Sequence, residues 1–401
     1  MLSVAEARQR ILANLPPLPR ESVPLALAEK RIPTNDVVAP IPLPPFDNSA
    51  MDGYAVRAAD VAAATVENPV GLRVLGKTPA GRAADHEVSA GTCVRLFTGS
   101  PMPRGADAVV MQEDCRSDTS TPDRVLVLDA VKPWENVRFA GEDVKAGTVV
   151  ALRGEPLGLG HLSLLAALGL ADVECHRRPR VGLLATGDEL REPGEPLTPG
   201  QVFESNRLGL ALLAQRAGAL VTTYPIVRDT LEATQRALVT ALDENDVVVS
   251  AGGVSVGELD FVKDAFTQTG GRLEFWRVAL KPGKPLAFGR RGNALFFGLP
   301  GNPVSALVGF TLFVAPTLAA LQGHAFPEPR TRSGVLEELL SNPGDRPHFL
   351  RVRTTASGGI VSSGIQASHI LSALTGADGL VEVPPQTTLP AGSRVSVIDW
   401  R

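Results

Sequence analysis

Five carboxylates and two lysines lie in or beside turn-like segments between residues 185 and 285. Asp188 and Glu189 fall in ATGDEL (185–190), Glu258 and Asp260 in SAGGVSVGELD (250–260), and Asp229 closes YPIVRD, while Lys281 and Lys284 frame LKPGKP (280–285). A further turn, GLPGNPVS (298–305), has glycines but no acid. Glycines let a ligand approach the backbone closely, and helix-like sequence after each glycine turn offers amides with partial positive charge. Together the turns form an anion cradle. Carboxylates beside such a cradle make chemical sense when a hard divalent cation, Mg²⁺ above all, bridges them to phosphate oxygens. The lysines add point charges for the same phosphate. Taken singly, Asp188 and Glu258 fit helix N-caps or first-turn charges equally well, and a glycine pair after a strand is a turn. The convergence of three loops with two lysines is what points to a phosphate-bearing ligand. Neither GxGxxG opening a helix nor GxxxxGK[ST] occurs, so the usual dinucleotide and P-loop readings are poor ones.

These loops need a framework, and the sequence supplies one. From Arg180 to about Gly323, strand-like VGLLAT, VTTYPIV and DVVVSA alternate with helix-like RLGLALLAQRAGA, LEATQRALVTALDEN and ELDFVKDAFTQTG. Such alternation predicts right-handed crossovers and a doubly wound, mostly parallel sheet with helices on both faces. LEFWRVAL, PLAFGR and ALFFGL, with the turn RGN, predict a hairpin that makes one side of the sheet mixed, and an apolar helix follows from Pro303 to Leu321. Ligands of open α/β sheets bind beyond the carboxyl ends of the strands, where these loops lie.

The fold class expected is therefore multi-domain α/β, with smaller β-rich domains flanking the central sheet. A chain of 401 residues exceeds one ordinary core. The expected divisions are 1–45 with 141–177 as an N-terminal linker and dimerisation unit, 46–140 as a small β-rich domain, 178–325 as the α/β domain, and 326–401 as a C-terminal β-barrel-like domain. A helix is expected over Val4–Asn14, and the proline run APIPLPPF reads as an extended connection.

With 39 basic and 43 acidic residues, nothing advertises a global affinity for nucleic acid or anionic membrane. The start of the chain lacks a signal-peptide pattern, and no apolar run reads as long enough to span a bilayer, so a cytoplasmic location is expected. Cys93, Cys115 and Cys175 are far apart and odd in number, which indicates neither a disulfide framework nor a structural zinc site. Two further segments concentrate polar groups. DNSAMDGYA holds Asp47, Asn48, Ser49 and Asp52, and TGSPMP holds Thr98 and Ser100. Asx-turns account for Asp47 and Asn48, and the hydroxyls either bind an oxyanion or close a hairpin.

DNSAMDGYA, TGSPMP, ATGDEL, GGVSVGELD, KPGKP and GLPGNPVSA, in this order, resemble the molybdopterin molybdenumtransferase family, which includes the C-terminal domain of gephyrin. The resemblance spans nearly the whole chain. It implies insertion of molybdenum from molybdate into adenylated molybdopterin, with release of AMP and Mg²⁺ as cofactor. It also implies an elongated homodimer with a composite active site, and transient contact with other proteins of molybdenum cofactor biosynthesis. Carried over motif by motif, it assigns catalytic roles to Asp52, Thr98, Asp143, Glu189, Asp229, Asp260 and Lys281, with Glu189, Asp229 and Asp260 as metal ligands. It assigns substrate binding to Gly187, Gly252, Gly253, Ser255, Gly257, Arg277, Lys284, Pro300, Gly301, Asn302, Arg351 and Ser368, of which Arg277, Arg351 and Ser368 are the candidates for molybdate. Arg277 stands where the family often has lysine, and Ala367 precedes Ser368 where glycine is common. Two rival readings are an adenylyltransferase acting one step earlier, which fits the sheet domain alone, and a non-catalytic scaffold, in which some of the acids would be lost.

Overall fold

Val247–Ala251 is buried at every position, as a strand covered on both faces must be. In the computed structural model, which describes residues 1–253 and 261–400, this strand lies inside a six-stranded sheet. The order across the sheet is Leu220–Thr223, Arg180–Ala185, Val247–Ala251, Ala294–Leu299, Pro285–Arg291 and Arg272–Arg277. The first four strands run parallel and Pro285–Arg291 pairs antiparallel with both of its neighbours, so the sheet is mixed at one side as expected. The chain leaves Arg180–Ala185 toward one edge and comes back to Val247–Ala251 on the other side. The strand order therefore reverses between these two strands, and a crevice opens at their carboxyl ends.

Alternate residues of the strands face different helices. On one face Val181, Leu183, Val247, Val249, Phe288 and Phe297 pack with Leu210, Ala214 and the helix Pro303–Leu321. On the other, Leu184, Val248 and Phe296 pack with Leu238, Ala241 and Phe266, carried by Leu231–Glu244 and Val262–Gln268. The 19-residue helix Pro303–Leu321, with a π-helical turn at Phe310–Val314, reaches a mean hydropathy of 2.0 over an 18-residue stretch. That corrects the expectation that no segment reaches membrane-spanning length. Here 78% of it is buried inside the protein, where it serves as the core helix of the α/β unit.

The strand expected over VTTYPIV stops at Thr223. It is an edge strand, and Pro225 has no amide with which to extend the ladder. Within residues 1–45 the attachments differ. The helix Val4–Leu12, started by a Ser3/Glu6 capping box, buries Val4, Ala7 and Ile11 in the core beside the sheet. Arg20–Pro24 instead pairs with Asp172–His176, and Val37–Val38 with Val149–Ala151.

Gly53–Val56, Thr92–Leu96 and Ala108–Met111 belong to a second six-stranded sheet with its own apolar cluster. After Phe326 the chain forms a five-stranded antiparallel sheet that includes His348–Thr354 and Gly379–Val383. Phe349 and Leu380 of this sheet enter the α/β core, which fixes the C-terminal unit beside the crevice. The three cysteines are unpaired.

Candidate active site

Three strand ends build the floor of the crevice. Gly187 donates its amide to Val227 O at 3.2 Å, and Gly252 donates to Leu299 O at 3.0 Å. Gly253 has φ +67°, and a Cβ there would lie 2.4 Å from Val262 Cγ2 and 2.9 Å from Thr186 Oγ1. Only glycine fits that combination of left-handed backbone and close approach. A Cβ on Gly301 would lie 3.7 Å from Gly252 Cα, so the second and third loops are in contact. Asn206 Nδ2 donates to Gly301 O at 2.7 Å and ties the third loop to the start of the helix Asn206–Arg216.

Asp188 and Asp229 clasp each other's backbone. The Asp188 amide donates to Asp229 Oδ2 at 3.2 Å, and the Asp229 amide to Asp188 Oδ1 at 3.4 Å. The Asp188 carboxylate thus fastens two loops. Glu189, one residue on, is exposed and lines the cleft together with Asp229.

Lys281 has an exposed side chain on a fixed backbone. Its amide donates to Pro347 O at 2.8 Å, and the Phe349 amide donates to Lys281 O at 2.8 Å. The C-terminal unit thus positions this lysine. The same unit brings in Ser368: the Val304 amide donates to Ser368 O, and Asn302 Nδ2 donates to Ser368 Oγ, both at 3.2 Å. A hydroxyl that accepts from an amide keeps its own proton available for another acceptor.

The result is a cleft of about 1180 Å³ in which Gly187, Glu189, Asp229, Gly252, Gly253, Lys281, Lys284, Pro300, Gly301, Asn302 and Ser368 come together. Ser255, Gly257, Glu258 and Asp260 lie outside the described residues. Arg351 does not present its charge to the cleft, contrary to expectation. It has no exposed surface, because it lies on the same face of His348–Thr354 as Phe349, which is packed against the α/β unit, while Leu350 and Val352 on the other face fill the C-terminal core. Its guanidinium donates to the carbonyls of Ile365 and Ala367, and its amide to Gln366 Oε1, so it supports the loop that carries Ser368. Burial lowers its affinity for a proton relative to an ordinary arginine. Arg277 is exposed at the end of the edge strand Arg272–Arg277 and is not part of the cleft wall.

Asp52 and Thr98 come together away from this cleft. Thr98 donates both its amide and its hydroxyl to Asp52 Oδ1, at 2.8 and 2.9 Å. The amide first, then the hydroxyl, holds this exposed carboxyl below the usual aspartate range. The neighbouring polar groups are structural. Asp47 accepts from the Ala140 amide, Asn48 donates to Phe46 O, and the buried Ser100 hydroxyl donates to Thr78 O. Asp143 is exposed, with its amide on Leu43 O at 3.1 Å, and is not part of the cleft wall.

Several cleft residues carried no sequence signal, among them Phe203, Asn206, Gln366 and His369, whereas Thr186 and Ser305 lie within two of the turns that did. Phe203 and Asn206 sit in VFESN, which reads as a connection into a helix. Only an exposed apolar pair before an N-cap-like run marks it. Among the described residues no group of three or more metal-ligating side chains occurs. Glu189 and Asp229 are still a suitable donor pair for Mg²⁺, which takes one or two carboxylates and completes its shell with phosphate oxygens and water.

Comparison with known proteins covers the whole chain. Residues 2–169 match the MoeA N-terminal region (domains I and II), residues 182–320 a probable molybdopterin binding domain, and residues 324–400 the MoeA C-terminal region (domain IV). The molybdopterin molybdenumtransferase of Haemophilus influenzae is 39% identical over 405 residues, 99% of this chain and 98% of that one. Molybdopterin molybdenumtransferase 2 of Mycobacterium tuberculosis is 40% identical over 407 residues, the full length of both. A crystal structure of the molybdopterin biosynthesis MoeA protein of Pyrococcus horikoshii superposes with a TM-score of 0.83 at 30% identity and covers 100% of each chain.

Proposed function

Because this chain belongs to the molybdopterin molybdenumtransferase family, we propose that its cleft binds adenylated molybdopterin and molybdate and releases AMP and molybdenum cofactor. The observation that carries this reading is the convergence of Glu189, Asp229, Lys281 and Ser368 on one cleft at the strand-order reversal.

Each group has a physical task. The glycines Gly187, Gly252, Gly253 and Gly301 let the phosphates of the substrate approach the backbone closely, and Lys281 and Lys284 supply the charge that holds them. Ser368, oriented by Asn302, offers a hydroxyl proton to an oxygen of molybdate. Arg351 serves molybdate indirectly, by holding the carbonyls on either side of Gln366. Arg277 lies outside this arrangement. Glu189 and Asp229, together with Asp260, which the family resemblance adds and which lies outside the described residues, would hold Mg²⁺, which when bound neutralises charge on the phosphoanhydride oxygens.

Asp52 and Thr98 are proposed to act from the partner in a homodimer, since their pair stands away from the cleft of its own chain. A cytoplasmic setting agrees with three unpaired cysteines. The test is to mix purified protein with adenylated molybdopterin, Mg²⁺ and molybdate and to measure AMP. Molybdate-dependent release is expected, and no release under conditions that sustain a characterised relative would overturn the assignment.

A further inference from the structure

One wall of the cleft differs from the rest. Leu190, Val202 and Phe203 are apolar residues of the cleft lining, which also holds Lys281, Asn302 and Ser368, and Phe203 carries the only phenyl ring among the described cleft residues. Leu190–Arg191 and Val202–Phe203 form a two-stranded parallel ribbon, with Arg191 beside Phe203. Successive strand residues point to opposite faces, yet Val202 is 52% exposed and Phe203 45% exposed. The ribbon therefore has no core of its own on either face.

What holds it is an ion network at its base, with Arg207 and Glu204 buried and Glu192 about half exposed. Arg207 Nη2 donates to both oxygens of Glu192, at 2.7 and 2.8 Å, and its Nε to Glu204 Oε2 at 2.9 Å. Glu204 Oε1 accepts the amides of Asn206 and Arg207, at 2.7 and 2.9 Å. Arg207 and Glu204 are 4% and 5% exposed. Glu192 follows the first strand of the ribbon directly and Glu204 the second, so one guanidinium pins both strands to the start of the helix Asn206–Arg216. Burying Arg207 and Glu204 is costly unless they are paired, and here their pairing anchors the backbone of the ribbon that carries the exposed Phe203.

We infer that Phe203 is the stacking surface for a planar heterocycle of the substrate, and that Glu192, Arg207 and Glu204 act as positioning residues for it. This rests on the molybdopterin reading above. Adenylated molybdopterin offers two such rings, a pterin and an adenine, and an exposed phenyl ring suits either, because stacking reads a π-face and not an edge.

The experiment uses the full-length protein and two probes, molybdopterin and AMP, with affinities measured separately by pterin fluorescence and calorimetry. Phe203→Ala is expected to weaken one probe by about tenfold while Phe203→Tyr keeps wild-type affinity. Loss of molybdopterin alone assigns the ring to the pterin, and loss of AMP alone assigns it to adenine. Wild-type affinity of Phe203→Ala for both probes would overturn the inference and leave the family reading standing. A Phe203→Ala protein with an altered elution volume on a sizing column would also overturn it, by assigning the ring to a subunit contact. Wild-type protein that binds neither probe would overturn both readings. Glu192→Gln should weaken the probe that Phe203→Ala weakens, and add nothing in the double variant, because it acts through the ring. Full additivity would reject the positioning role.

Discussion

Lys281 shows how much a single side chain can owe to backbone far away in sequence. Its charge is exposed while its amide and carbonyl are both tied to residues 347–349, so the side chain can be removed without disturbing a core. Lys281→Ala is expected to shift the melting temperature by no more than a surface substitution does, while weakening AMP binding about tenfold or more. Calorimetry and thermal melts on the same preparation would check both halves. The Asp52 carboxyl supplies a second test. Thr98 hydrogen bonds to the ionised form depress its pKa, so their stabilisation is present above the unfolded aspartate pKa and is lost as pH falls through the folded value. Thr98→Val removes the hydroxyl bond and keeps the amide bond. The Asp52 titration midpoint, followed by carboxyl NMR, should rise but stay below that of an unperturbed aspartate.

At the scale of elements, the strand His348–Thr354 is where the C-terminal unit meets the cleft, through the contact between Lys281 and residues 347–349. His348 is 5% exposed. Burial first, then the charges of Lys281 and Arg351, lower its pKa to about 4. Folded protein therefore keeps this imidazole neutral while the unfolded chain takes up a proton near pH 6.5. The corresponding stability is fully present above about pH 6.5 and declines as pH falls toward about 4, by an amount on the order of 3 kcal/mol. Replacing His348 with Gln should flatten this part of the stability profile. Urea midpoints of both proteins between pH 4 and 7 would show parallel profiles if His348 does not titrate this way. The glycine loops are legible in sequence at this same scale, because a glycine turn after a buried strand is a local pattern. The ribbon at Leu190–Arg191 and Val202–Phe203 is not, because two-residue strands carry no periodicity and their pairing closes a ten-residue excursion.

For the whole molecule, the separation of the Asp52 and Thr98 pair from the cleft makes a prediction about assembly. If the partner subunit supplies this pair, Asp52→Asn and Asp229→Asn homodimers are each inactive, whereas mixed dimers carry one wild-type site and one doubly substituted site. Random exchange of equal amounts should then restore roughly a quarter of wild-type AMP release. Differently tagged subunits would confirm exchange by pull-down, and a sizing column would verify that each homodimer is intact. Confirmed mixed dimers with no recovered activity would place Asp52 outside the partner's site.

The sequence by itself determined the alternation that makes a doubly wound sheet, the strand ends at Ala185, Ala251 and Leu299, and the glycines, Glu189, Asp229 and Lys281 that gather there. These are short-range properties: hydrophobic period, turn chemistry and the rule that ligands sit at carboxyl ends of strands. Tertiary structure decided which side chains of the later strands and loops reach the cleft. Arg351 and Ser368 looked equivalent as donors in sequence, yet packing of the C-terminal sheet buries the first and delivers the second to Asn302, 66 residues away. It also decided where the amphipathic helix Val4–Leu12 would spend its apolar face, in the α/β core and not with the segment that follows it. An apolar stripe states that a face will be buried. What it is buried against is a choice among distant surfaces, made by the packing of the whole chain.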